Sequence, residues 1–220
     1  MAFTTAYEQP LDALATQFAQ QDAARIIALP PAEHRALKLR VDALAECIAI
    51  ALVFLEGFDD IATGGALHKR ASADLQKWVA SVPRTQSGTR LAGMVASSLC
   101  SVLEDYIVDT TQLKVGAAQL VRIRTLDPKL HAQDGPAVDQ LLKKVKPSVK
   151  AAGVDWVAAL ALVFGVALTV EESETLVDLI TFRNLYIHEP PSAFAMTITG
   201  EHIKCWTVAA TVLCYRLALA

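Results

Sequence analysis

The chain has 220 residues, 53% of them apolar, and sets 20 basic side chains against 23 acidic ones for a net charge of −3. It is too apolar and too weakly charged for a disordered chain, and 10 Gly with 9 Pro are too few for a collagen or a Pro-rich scaffold. Aromatics at 6% beside abundant Ala and Leu argue against an all-β sandwich and for helices.

The first residues, Met1-Ala2-Phe3-Thr4-Thr5, lack a basic region followed by an apolar run, so no secretory signal is expected. Leu11–Leu29 has helical character, and Pro30-Pro31 ends it. Ala32–Phe58 then carries Leu37, Val41, Leu44, Ile48, Leu52 and Leu55 at steps of three and four, the spacing of one helical face, before Asp59-Asp60 and Gly64-Gly65 interrupt it. A second helix is expected over Leu67–Val82, with Leu75, Trp78, Val79 and Val82 on its apolar side. The Ser/Thr/Gly-rich stretch Pro83–Thr89 is the best linker candidate.

Arg90–Val115 predicts a long helix through Leu91, Met94, Val95, Leu99, Val102, Leu103, Tyr106 and Ile107, bent or ended by Gly116. Leu120–Ile123 predicts a short helix or turn, Asp134-Gly135-Pro136 a turn, and Ala137–Val149 a basic helix. Val154–Leu168 is nearly all apolar and should be central. Thr169 followed by Glu172 has the spacing of a capping box, and Glu171, Glu172 and Glu174 suit the positive end of a helix dipole. That helix should run to about Glu189, before Pro190-Pro191. A loop containing Ala195–Thr199 precedes a last helix over about Glu201–Ala220. The expected class is all-α: an antiparallel helical bundle over 90–220 with an additional N-terminal helical pair in 1–89.

The longest uncharged apolar runs, Cys47–Leu55 and Trp156–Leu168, are shorter than the ~20 residues that cross a bilayer. No membrane partner is expected, and a cytoplasmic location is. Cys47, Cys100, Cys205 and Cys214 form no CxxC pair and sit among apolar neighbours, which predicts buried thiols rather than a zinc site. His34, His68, His131 and His202 are scattered, no HExxH or Gly-rich phosphate loop occurs, and Ser97-Ser98 lacks a nucleophile elbow. Glu46 and Glu56 read as salt-bridge residues, and Trp78, Trp156 and Trp206 as core or interface anchors. No metal or cofactor is implied.

One stretch carries chemistry: Phe182-Arg183-Asn184-Leu185-Tyr186-Ile187-His188. Arg183 interrupts an apolar face, and His188 lies in the last turn, where the helix dipole favours a cation. Asn184 and His188 are four apart on one face, and Arg183 stands ~140° from His188, a gap its length can close. A guanidinium, an amide and an imidazole therefore can converge at one mouth of the bundle. The plainer reading pairs Arg183 with Glu104 or Asp178 and uses His188 to cap the last carbonyls.

Arg-Asn-x-x-x-His near the end of a late bundle helix resembles the motif of HEPN domains (higher eukaryotes and prokaryotes nucleotide-binding), an arginine followed four to six residues later by a histidine. Upstream, Ser97–Ile107 resembles the first core helix of several HEPN groups, where an acidic residue followed by an aromatic is common, as in Glu104-Asp105-Tyr106. The resemblance covers about residues 90–220. It implies a metal-independent RNA endonuclease of the toxin–antitoxin or phage-defence kind. It also implies a homodimer whose two motif helices share one cleft, with an antitoxin or regulatory protein as a further partner. His188 would be general acid or base, Arg183 the phosphate clamp, and Asn184 the residue that positions them, with Glu104 and Tyr106 in support. Lys114–Lys150 holds eight bases against three acids, and Lys143, Lys144 and Lys146 are the candidates for RNA contact. The competing expectation is a non-catalytic helical module, regulatory or binding a protein partner or nucleotide, with residues 1–89 as its assembly surface.

Overall fold

The computed structural model describes residues 20, 22–81, 84–114, 116, 118–119, 121–122, 153–188 and 200–220. The expected basic helix over 137–149, the turn at 134–136 and the segment 195–199 lie outside them. Among the described residues the chain is helical with no strand, so it takes the all-α class that composition suggests.

Residues 22–27 are helical and lead to Pro30. That helix ends before Pro30-Pro31 as expected, and Pro31 opens the next one: α1, Pro31–Thr63, places it in the first turn, where a missing N–H costs nothing. α1 runs on through Asp59-Asp60 and ends at Gly64, whose φ of 78° lies in the left-handed region. The Gly65 and Gly64 amides donate to Asp60 O and Ile61 O at 2.8 and 3.4 Å, which closes the helix end in a Schellman arrangement.

The second expected helix is two. α2, Ala66–Arg70, and α3, Ala73–Ser81, are separated by Ala71-Ser72, where Ser72 Oγ accepts from Leu75 N at 3.2 Å and caps α3. Leu75 and Trp78 face solvent, and Val79 is the buried residue of α3. The expected linker is also corrected. α4 spans Arg84–Lys114, so residues 84–89 are helical. Low-propensity Ser, Thr and Gly each cost only ~0.5–1 kcal/mol, and extending a helix already nucleated next door is far easier than starting one. Met94, expected inward, is exposed. By length and composition the 26-residue stretch Thr89–Lys114 also suits a bilayer, yet half of its most apolar window is buried against other helices.

α5 spans Gly153–Phe164 and ends at Gly165 in the left-handed region. α6, Val170–His188, and α7, Gly200–Leu219, complete the fold. α4 and α7 are central. α1 packs on both, and so does α6, which also holds α5. On α1, Glu33 pairs with Lys114 and Arg40 with Asp109 and Asp105, so partners fall along α4 as they rise along α1 and the two run in opposite senses. On α6, Glu172 pairs with Arg216, while the Phe182 and Trp206 rings lie 5.1 Å apart, which sets α6 opposite in sense to α7.

A single buried cluster joins Leu37, Leu44 and Ala51 of α1 to Leu99, Leu103 and Ile107 of α4 and to the inner faces of α5, α6 and α7. Burying a side chain of this size contributes about 1.5–3 kcal/mol. Cys100 and Cys214 are buried as expected, but Cys205 is exposed, because it precedes the buried Trp206 and neighbouring helical positions point ~100° apart.

Candidate functional site

α6 is anchored at both ends of its inner face. Thr169 N donates to Glu172 Oε2 at 2.8 Å and Glu172 N to Thr169 Oγ1 at 3.1 Å, the reciprocal capping box that the spacing predicted. Glu172 Oε1 also accepts from Arg216 of α7 at 2.8 Å. Leu176, Leu179, Ile180 and Phe182 then bury one face against α4, α5 and α7. The helix is therefore held by packing up to Phe182, and its last turn carries the polar residues.

Arg183 is the first of them. Its side chain is 19% exposed and turns toward α4. Nη1 donates to Asn184 Oδ1 at 3.0 Å, and Nη2 stands 3.9 Å from Glu104 Oε1. Nε is buried and has no hydrogen-bond acceptor among the described residues. An unmet buried N–H costs about 1–3 kcal/mol unless something binds it. The guanidinium is thus fixed in place with donor capacity unused.

The wall opposite is the face of α4 formed by Gly93, Ser97, Cys100 and Glu104, spaced four, three and four. The Tyr186 ring occupies the space a side chain at 93 would need, so any Cβ there would push α6 away. The Ser97 hydroxyl oxygen is buried without a hydrogen-bond partner among the described residues. Cys100 is fully buried beside the pair. Burial pushes its thiol up to about 12, with Arg183 pulling the other way and Glu104 adding to the rise. This thiol is neutral at any physiological pH and is no nucleophile.

Of the residues singled out from sequence, the structure brings together Arg183, Asn184 and Glu104. His188 ends α6 and is exposed, one turn beyond Asn184. Exposed Leu185, Ile187 and Met94 belong to the same two helices, α6 and α4. Tyr106 is not in the group. Two positions from Glu104, it points to another side of α4 and is buried beside Cys214, with Thr110 as its hydroxyl partner. Burial first, then Cys214, pushes its phenol well above the ordinary range. Lys143, Lys144 and Lys146 lie outside the described residues. Asp178, the other carboxylate considered for Arg183, is exposed. Sequence reasoning missed Gly93, Ser97, Cys100 and Tyr186. The available signal was the small and polar residues recurring at helical spacing in an otherwise apolar helix.

Among the described residues no three His, Cys, Asp or Glu side chains cluster as metal ligands would. No protein-family model matches the chain, and no curated protein or solved structure is significantly similar to it.

Proposed function

We propose that the chain is a metal-independent RNA endonuclease of the HEPN type. The observation that carries the reading is Arg183: a guanidinium held by Asn184 and Glu104, with a buried Nε–H that nothing among the described residues accepts. Arg presents donors in a planar fork suited to phosphate, and a charge fixed in advance stabilises a phosphorane without reorganisation. His188, exposed at the end of the same helix, supplies the proton chemistry. One imidazole takes the proton from the ribose 2′-hydroxyl as its oxygen attacks phosphorus. An imidazolium returns a proton to the leaving 5′-oxygen, giving a 2′,3′-cyclic phosphate and a 5′-hydroxyl. In this reading a homodimer provides both histidines, with one Arg and one His from each α6 in a shared cleft. Exposed Met94, Leu185 and Ile187 supply apolar contact around it. Lys143, Lys144 and Lys146 would hold the RNA beyond the cut, and Tyr106 has only a packing role.

The test is digestion of single-stranded RNA in EDTA. The wild-type chain should leave cyclic phosphate ends, and His188→Ala should remove cleavage while the melting temperature holds. Cleavage by His188→Ala at the wild-type rate would overturn the assignment. The non-catalytic alternative, an interaction module, rests on a different feature: the apolar outer face of α1.

A further inference from the structure

We propose that the outer face of α1 docks an amphipathic helix of a partner protein, one with basic residues flanking its apolar seam. α1 carries two apolar seams. The inner one, Leu37, Val41, Leu44, Ile48 and Ala51, belongs to the core or packs against it. The outer one runs Ala32, Ala36, Leu39, Ala43, Glu46, Ile50, Val53 and Gly57, with steps of four and three alternating without a break. That is the core repeat of a coiled coil, sustained over more than three heptads; Ala36 near its start also packs against the core, and from Leu39 to Val53 its large apolar members face away from the bundle.

Among the described residues nothing covers the seam where it is largest. Leu39, Ile50, Val53 and the adjacent Phe54 are 57%, 58%, 70% and 64% exposed. Single exposed apolar residues are ordinary on a protein surface; three in one register on one helix, with Phe54 beside them, are not. Ala43 lets a second helix approach closely between the large residues, and Leu67 of α2, 44% exposed, lies against Gly57 and extends the apolar surface there.

Charge chooses the occupant. Between Val41 and Thr63 the helix has five acids, Asp42, Glu46, Glu56, Asp59 and Asp60, and no base; Lys38 holds Asp42 at 2.6 Å and Asp60 accepts from Leu67 N, so Glu46, Glu56 and Asp59 carry the charge of the face. Glu46 sits in the seam itself and is exposed. RNA and anionic lipid are repelled by such a face. A second copy of α1 would set Glu46 against Glu46 at the centre of the seam in either orientation, and only an antiparallel copy would bring its Arg35 and Lys38 to the acids at the far end. A partner helix with Lys or Arg opposite Glu46 and along its flanks satisfies the seam and the charge together. The proposal does not depend on the nuclease reading, since α1 meets α4 through Asp105 and Asp109 while Arg183 meets it through Glu104.

The test uses two synthetic peptides of about four heptads with the same Leu/Ile core. One places Lys opposite Glu46 and on the flanks; the other places Glu there. Fluorescence anisotropy with the full chain should show the basic peptide binding about tenfold or more tighter than the acidic one. Glu46→Lys should narrow that preference, and Ile50→Asp with Val53→Asp should cost about tenfold or more in affinity at unchanged melting temperature. Equal binding of the two peptides, no binding, or full binding by the double variant would overturn the proposal. So would a light-scattering mass of two chains that returns to one in Ile50→Asp, which would make a second copy the occupant, or vesicle binding lost in that variant. RNA cleavage in the same variants is expected to stay at the wild-type rate, so failure here is separable from failure of the nuclease reading.

Discussion

Two arginines meet the same helix with nearly the same exposure, 20% for the Arg40 side chain and 19% for Arg183, and they are satisfied very differently. Arg40 of α1 donates from Nε and Nη2 to Asp109 at 3.1 and 2.9 Å and from Nη1 to Asp105 at 3.1 Å. Arg183 of α6 has, among the described residues, one amide at 3.0 Å, one carboxylate at 3.9 Å and a buried Nε with no acceptor. The first is a strap between helices, with its fork occupied by two carboxylates. The second is a held cation with donors to spare, the arrangement an anion site requires. Arg216 of α7 also has a buried Nε without a partner among the described residues, yet its Nη2 is bonded to Glu172 at 2.8 Å; what sets Arg183 apart is the combination of that unmet Nε with a nearest carboxylate oxygen at 3.9 Å.

The contrast can be broken most sharply by activity. Arg183→Ala should lower RNA cleavage by about a hundredfold or more, and His188→Ala by about 10²–10⁴-fold, in a gel assay of initial rates. Glu104→Gln should act through Arg183, lowering cleavage less than Arg183→Ala does at unchanged fold content by circular dichroism. If all three cut normally, Arg183 is structural after all.

Stability should show the reverse order. Removing Arg40 strands Asp105 and Asp109, part exposed at 58% and 30%, so the buried-pair penalty is discounted to about 1–3 kcal/mol. At ~2–4 °C per kcal/mol for a chain of this size, thermal melts resolve that loss. Arg183→Ala should cost less than about 1 kcal/mol, because one of its own donors is already unmet. A larger loss for Arg183→Ala than for Arg40→Ala would invert the assignment of the two roles.

A smaller effect separates the thiol wall from the guanidinium. The folded Cys100 thiol keeps its proton up to about pH 12, whereas in the unfolded chain it ionises near the usual ~8.5. Between those values the unfolded state binds fewer protons, so stability falls as pH rises through the window and is complete below it. Each such proton contributes up to ~1.4 kcal/mol per pH unit. Cys214 and Tyr106, also raised chiefly by burial, act in the same direction. Urea titrations from pH 8 upward should show the decline, and Cys100→Ala should make it shallower. The smallest expected change is in the capping box: Thr169→Ala should cost about 1 kcal/mol, read in the same titrations, without altering cleavage.

What was legible in the sequence follows from range. The capping box of α6, the all-α class and the ends of α6 and α7 are local patterns, set by propensity and by residues within one turn of each other. Arg183 with Asn184 and Glu104 was also visible, because a charged residue in an apolar face needs a partner and few were placed to serve. The break at Ser72 was missed because one N-cap competes weakly with an apolar pattern that continues past it. The polar stretch after Pro83 looked like a linker because composition does not report that a long helix can carry several poor formers. Tyr106 was assigned to the site by its neighbours in sequence, yet two steps along a helix turn a side chain by ~200°. The outer seam of α1 was overlooked because the inner seam already explained the helix.

The claim at the centre of this reading is that Arg183 has donors waiting for a phosphate. Affinity for a short 2′-O-methyl RNA, which has no free 2′-hydroxyl to attack with, measures that directly by titration calorimetry. Binding should weaken about tenfold or more in Arg183→Ala and persist in Thr169→Ala, which leaves the guanidinium in place. Equal affinity of Arg183→Ala and the wild-type chain would contradict it.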